Sequence, residues 1–245
     1  MNPFKKEIYY ISANKLSMGI NCPFKLYLNL CHVQPKHFDN KYTSAGSAVH
    51  KYMEDMFTEG AHDFDYYVNG MYQPEENRPL YVVPEEMYDR VKTCISNGTK
   101  WFNGYSFDCE KPFNVELKTP KGRKVMLNGF IDAINDEVIY DWKTGKKVTT
   151  KDDYKRQAAV YYYVAEPKRK VIFKSLLDGS EFTVKKQHPN YIPSLCDQYI
   201  DRLEMHEFDR NINALCRFCE FREEYCYSGA EYDYFPLEIH ELIKR

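Results

Sequence analysis

Two aspartates and a lysine carry the clearest chemical potential in this chain. Asp132 closes the segment Gly129-Phe130-Ile131-Asp132, and Asp141 opens Asp141-Trp142-Lys143-Thr144-Gly145. Asn135-Asp136 between them reads as a hairpin turn, so neighbouring strands can set the two carboxylates side by side. Close carboxylates repel, and a divalent cation relieves that repulsion. Mg²⁺ favours such oxygen ligands. Lys143 lies two residues after Asp141, on the same strand face. There its ammonium can orient a water and offset phosphate charge. A cation at the aspartates would acidify that water and stabilise the transition state of phosphoryl hydrolysis. Taken alone, an Asp-x-Lys is common and reads equally well as a solvated surface hairpin.

Other residues add to this set in order along the chain. Gln157 and Tyr161 stand four apart, on one face of an expected helix. Their amide and phenol can hold a phosphate or the lysine, or the tyrosine can simply pack on the sheet. His50, in Gly46-Ser47-Ala48-Val49-His50, is a candidate third ligand, more at home with Mn²⁺. Glu116 offers a further acid. A second constellation is Cys216-x2-Cys219-x6-Cys226, with Cys22 before Pro23 as the candidate fourth thiolate. Four thiolates can hold a 4Fe–4S cluster or a structural Zn²⁺, and spacing does not choose between them. Cys31, Cys94, Cys109 and Cys196 are isolated and read as small buried apolar residues.

These residues need elements to position them. Ser12, Leu16 and Cys22-Pro23 predict a capped helix, a turn and a second helix over 12–33. Val49, Met53, Met56 and Phe57 set a helical face over 42–60. The segment 61–83 reads as an acidic loop, and 84–105 as a helix. Residues 113–118, 125–134 and 137–142 are expected strands. A Tyr-rich helix spans 152–166, a hairpin turns at Asp178-Gly179, a helix covers 191–208, and the tail ends in a short helical stretch. Helices, strands, helix, strands and helix in that order predict an α/β domain with a central mixed sheet flanked by helices.

At 245 residues the chain is long enough for one well-buried core. Its 43% hydrophobic and 29% charged residues are ordinary for a globular protein. A net charge of −2 gives no global attraction to nucleic acid, so local patches must hold phosphates. Candidates are Lys118, Lys121, Arg123 and Lys124, then Lys146, Lys147 and Lys151, and Lys168-Arg169-Lys170. Trp142 and Tyr161 to Tyr163 are candidate stacking partners for unpaired bases. No stretch approaches the roughly 20 apolar residues of a membrane span, and the first residues lack an apolar signal-type core. A reducing, cytoplasmic compartment is therefore expected, with the eight Cys as thiols or metal ligands.

Gly46…His50, Gly129-x-Ile-Asp132, Asp141-Trp-Lys143-Thr-Gly and Gln157-x3-Tyr161 together resemble the RecB-like nucleases of the PD-(D/E)XK superfamily. Ser12…Leu16…Cys22-Pro23…Tyr27-Leu28 is similar to that family's opening segment. The resemblance covers residues ~12–226 with motif order kept. It implies a restriction-endonuclease-like core and a metal-dependent DNA exonuclease acting on single strands or ends. It implies His50, Asp132 and Asp141 as ligands of Mg²⁺ or Mn²⁺, Lys143 as the catalytic lysine, and Gln157 and Tyr161 in support. One Cys before the core and three after it resembles the iron–sulfur subset, which includes CRISPR-associated exonucleases and the AddB nuclease. That implies a structural 4Fe–4S cluster on Cys22, Cys216, Cys219 and Cys226. The implied organisation is a single nuclease domain over 1–245, a cluster-binding subdomain of 12–33 plus 211–230, and a catalytic core of 110–190. The alternative is a non-catalytic iron–sulfur DNA-binding subunit of a recombination or CRISPR-adaptation complex.

Overall fold

The computed structural model describes residues 6–33, 41–71, 82–146, 152–165, 168–213, 216 and 219–226. Lys147, Lys151, the 72–81 part of the acidic segment and the expected tail helix lie outside them. The chain divides into two compact units, one of 1–39, 114–129 and 188–245, the other of 40–113 and 130–187. Strands β2 (Asp108–Lys118) and β3 (Lys124–Ile134) run through both.

The first unit opens with a strand that periodicity did not mark, β1 (Ile8–Ser12). It pairs in parallel with the start of β3, Ile8 opposite Lys124 and Ser12 opposite Asn128. Ser12 then caps helix α1 (Ala13–Asn21) by accepting from Lys15 N, and Pro23 opens α2 (Pro23–Leu30) at a position where its missing N–H costs nothing. Helix α7 (Tyr191–Met205) buries Ile192, Leu195, Cys196, Tyr199, Ile200 and Leu203, a 3.6-residue stripe. It ends at His206 in the left-handed conformation, φ 58°. A Cβ at Gly19 of α1 would meet the Tyr199 ring at 2.6 Å, so glycine is what lets α1 and α7 approach.

Arg123, read as a phosphate contact, is instead the hub of an ion-pair cluster here. It reaches Asp197 at 3.2 Å, Asp201 at 2.8 Å and Glu204 at 2.7 Å. Lys121 pairs with Asp201 at 2.6 Å. Arg123 is largely buried against α7, whereas the Lys121 side chain stays 55% exposed beside it.

The second unit holds α3 (Lys41–Phe57), α4 (Phe64–Val68), α5 (Tyr88–Trp101), β4 (Val138–Lys143), α6 (Asp152–Val164), β5 (Lys170–Ser175) and β6 (Glu181–Val184). Helix α4 lies where a loop was expected. The end of β3 pairs antiparallel with β4, β4 parallel with β5, and β5 antiparallel with β6. The sheet is mixed, with α6 as the crossover that a parallel pair requires. Alternation along β4 sorts its side chains. Val138, Tyr140 and Trp142 enter the core formed with α3, α4 and α5, while Ile139 joins the core beneath α6. Asp141 and Lys143 therefore share the face that carries α6. A Cβ at Gly98 of α5 would come within 2.4 Å of Met53 Sδ, so these helices also pack through a glycine. Arg169, another candidate for phosphate, binds the Asn135 carbonyl at 2.6 Å and holds the β3–β4 turn. No described helix is long and apolar enough to cross a membrane.

Candidate active site

His50, Asp132, Asp141, Lys143, Gln157 and Tyr161 all belong to the second unit. The register between β3 and β4 ends at the Ala133–Tyr140 pair, and side chains take over from the ladder beyond it. Asp132 Oδ2 accepts from the Trp142 N–H at 2.9 Å. His50 Nε2 lies 2.8 Å from the Trp142 carbonyl. A carbonyl only accepts, so Nε2 carries a proton, and Nδ1 faces Asp132 Oδ2 at 3.5 Å. One β4 residue thus fixes both side chains, the arrangement that orients a metal-binding imidazole.

Glu110 completes this group. Ligand atoms of His50, Glu110 and Asp132 lie within 4.8 Å of one another. The sequence reading missed Glu110 because it began β2 at residue 113 and turned to Glu116, which is exposed. Pro112 was the available signal, since proline inside a strand marks a bulge or an edge. The irregularity is real: Glu110 has φ 44°. That costs a non-glycine residue on the order of 1 kcal/mol, and strain of this kind collects at functional sites. Burial first, then the Asp132 carboxylate, pushes the Glu110 carboxyl up to about 7.

Asp141, expected as a ligand beside Asp132, is not in that trio. It is fully buried inside a closed circuit with the α6 residues. Tyr161 donates to Asp141 Oδ2 at 3.0 Å, Gln157 Nε2 donates to Tyr161 Oη at 2.9 Å, and Lys143 Nζ donates to Gln157 Oε1 at 3.4 Å. An ammonium cannot accept, which fixes the orientation of the Gln157 amide. Lys143 Nζ also lies 2.5 Å from Asp141 Oδ1, an ion pair in which that oxygen has no donor in hydrogen-bond geometry. Asp141 Oδ1 is thus a fully buried oxygen whose charge is met by the Lys143 ammonium.

The electrostatics agree with the geometry. Burial raises the Asp141 carboxyl to about 6, with Asp132 adding to the rise and Lys143 opposing it. Burial works against the Lys143 ammonium, but Asp141 and Asp132 outweigh it and hold its pKa above the ordinary value. Lys143 stays charged at neutral pH and is no general base in this state. Burial, then Asp141, keeps the Tyr161 phenol protonated, as a donor must be.

Two expectations about aromatic contact fail. Trp142 is 0% and Tyr161 2% exposed, so neither can stack on a base. Tyr162 is half-buried, and its hydroxyl donates to the Val184 carbonyl.

The four expected cysteines line one cavity of about 160 Å³ in the first unit. Met18, Phe24, Leu28 and Phe221 supply apolar walls, and Lys25, Arg210 and Arg222 also line it. Side chains tie the tail to the N-terminal helices: Lys25 pairs with Glu220 at 2.7 Å, and Asn211 and Asn213 donate to the Asn21 carbonyl at 2.8 and 3.4 Å. A short π-helical turn, Arg222–Cys226, carries the last cysteine. Burial first, then Cys219 and Cys22, raises the Cys226 thiol. Of the isolated cysteines, Cys94 and Cys196 are buried as expected, whereas Cys31 and Cys109 are half-buried.

A family model for the PD-(D/E)XK nuclease superfamily matches residues 10–226, a span that includes every residue named above as a candidate. A solved structure described as the crystal structure of SSO0001 is similar at 14% identity and TM-score 0.48, covering 89% of this chain and 85% of that one. No curated protein matches. On the family model, the chain belongs to the PD-(D/E)XK nuclease superfamily, and membership implies a metal-dependent nuclease with DNA as substrate.

Proposed function

We propose that the protein is a RecB-like DNA exonuclease that hydrolyses single strands or strand ends, with a 4Fe–4S cluster in its first unit. The observation that carries the catalytic reading is the convergence of His50, Glu110 and Asp132 beside the closed Asp141–Lys143–Gln157–Tyr161 circuit. His50, Glu110 and Asp132 would hold Mg²⁺ or Mn²⁺, with Asp141 Oδ1 as the remaining oxygen. A bound cation supplies Lewis-acid stabilisation of phosphate charge and an acidified water. The chain does the rest. Lys143, held by Gln157 and Asp141, donates toward the phosphate or the attacking water and offsets negative charge. Tyr161 keeps Asp141 in place for it.

The cysteine cavity suits a cluster better than a single zinc. Four sulfurs on one Zn²⁺ with bonds of about 2.3 Å sit roughly 3.8 Å apart. Among the described residues, only the His50 trio groups three such ligand atoms within 4.8 Å, so no three of these sulfurs are that close. Lys25, Arg210 and Arg222 in the lining offset the negative charge of four thiolates with either metal. Its role would be to staple the tail to α1 and α2. Elemental analysis of anaerobically purified protein distinguishes the metals: about four iron per chain supports the cluster, and one zinc sinks it.

The exonuclease reading is tested with linear and covalently closed single strands of equal length, and with 5′- and 3′-labelled duplexes. Cation-dependent release of mononucleotides from linear strands alone supports it. Cutting of closed circles would make the enzyme an endonuclease. No cutting under any condition would favour a non-catalytic DNA-binding subunit.

A further inference from the structure

We propose that Phe130 is a stacking shelf for an unpaired nucleobase next to the phosphodiester to be cut. The proposal rests on the nuclease reading above and names the feature that would select unpaired DNA. Phe130 is 61% exposed, the one exposed phenylalanine among the described residues. A phenyl ring has no polar tip to reward exposure. Its place in β3 is specific. Phe130 stands two residues before Asp132, roughly 6.6 Å along the strand. The β3–β4 register ends at Ala133–Tyr140, short of both residues. A base hangs one sugar away from its phosphate. A phosphate held at the Asp132 group therefore brings the base of a flanking nucleotide within reach of the Phe130 ring. In a duplex both faces of that base are covered by its neighbours, so only an unpaired or frayed nucleotide can offer a face. Of the aromatic side chains favoured by sequence for this task, Trp142 and Tyr161 are buried and Tyr162 and Tyr163 are half-buried, whereas Phe130 is exposed.

The test is fluorescence anisotropy of labelled oligothymidylate and of a blunt duplex, with Ca²⁺ in place of Mg²⁺ or Mn²⁺ so that DNA is held without cutting, with wild type, Phe130→Ala and Phe130→Trp. Stacking measured by alanine substitution implies that Phe130→Ala weakens oligothymidylate binding about fivefold to 150-fold. Phe130→Trp should bind as well as wild type or better, and duplex binding should change by less than about twofold. A single abasic position walked along the strand gives the sharper readout. One position should cost wild type the same factor and cost Phe130→Ala nothing. Equal abasic penalties in both proteins, or unchanged oligothymidylate binding by Phe130→Ala, would overturn the shelf. If that happens while wild type still cuts DNA with Mn²⁺, only the shelf fails. Wild type that neither binds nor cuts would take the nuclease reading with it.

Discussion

Replacing Asp141 by asparagine should change how stability depends on pH, and the size of the change follows from burial. Asp141 is fully buried, and its carboxyl titrates near 6 against an ordinary 3.8. The folded pKa exceeds the unfolded one, so the folded state holds this proton longer. Its contribution is present in full below the unfolded value and is lost as pH rises through about 6. The loss is at most about 1.4 kcal/mol per pH unit, or roughly 3 kcal/mol across the interval. Asparagine cannot ionise, yet its carbonyl can still accept from Tyr161. The difference in unfolding free energy, wild type minus Asp141→Asn, should therefore fall by roughly 2 kcal/mol between pH 4 and pH 6.5, then level off. Urea titrations in EDTA, followed by tryptophan fluorescence, measure it directly. Subtracting the variant cancels the titration of groups that the Asp141 charge does not reach. Adding Mn²⁺ at pH 7.5 to about 100 times its Kd should restore about 2.7 kcal/mol to wild type, and less to the variant. Parallel pH profiles for the two proteins would refute the claim that Asp141 is a strained, buried acid.

Three further outcomes follow from single contacts. Tyr161→Phe removes the donor to Asp141 Oδ2 and should cost about 1–3 kcal/mol, lowering Tm by about 2–4 °C per kcal/mol, together with a fall in kcat; an unchanged melt would break the circuit argument. Arg123→Ala leaves Asp197, Asp201 and Glu204 without their shared cation and should cost about 3 kcal/mol in a calorimetric scan, with little effect on phosphodiester chemistry. Gly19→Ala drives a methyl group into Tyr199 and should destabilise by about 1–3 kcal/mol, which thermal melting will show.

Much of this architecture was legible in the sequence because its signals are local. The Asp132–Asp141 hairpin is announced by Asn135-Asp136, and Asn135 Oδ1 does accept from the Glu137 and Val138 amides that shape the turn. The α1–α2 corner is announced by Ser12 and Cys22-Pro23. Features that depend on distant partners were not legible. β1 is a short strand defined by its pairing with β3, and no alternation marks it. Glu110 reaches the site through a left-handed kink that only Pro112 hints at. Arg123 looks like a solvated cation until α7 brings Asp197, Asp201 and Glu204 to it. The stacking candidates were misread because Trp142 and Tyr161 point into cores, which depends on which strand face α6 and α5 cover.

The most direct test of the central claim is cleavage of end-labelled single-stranded DNA with Mn²⁺ by wild type, Asp132→Ala and Lys143→Ala, with Mn²⁺ binding measured on each by electron paramagnetic resonance. The account predicts cutting by wild type alone, with Mn²⁺ binding lost in Asp132→Ala and kept in Lys143→Ala. Cutting that survives in Lys143→Ala, or Mn²⁺ bound as tightly by Asp132→Ala as by wild type, would contradict it.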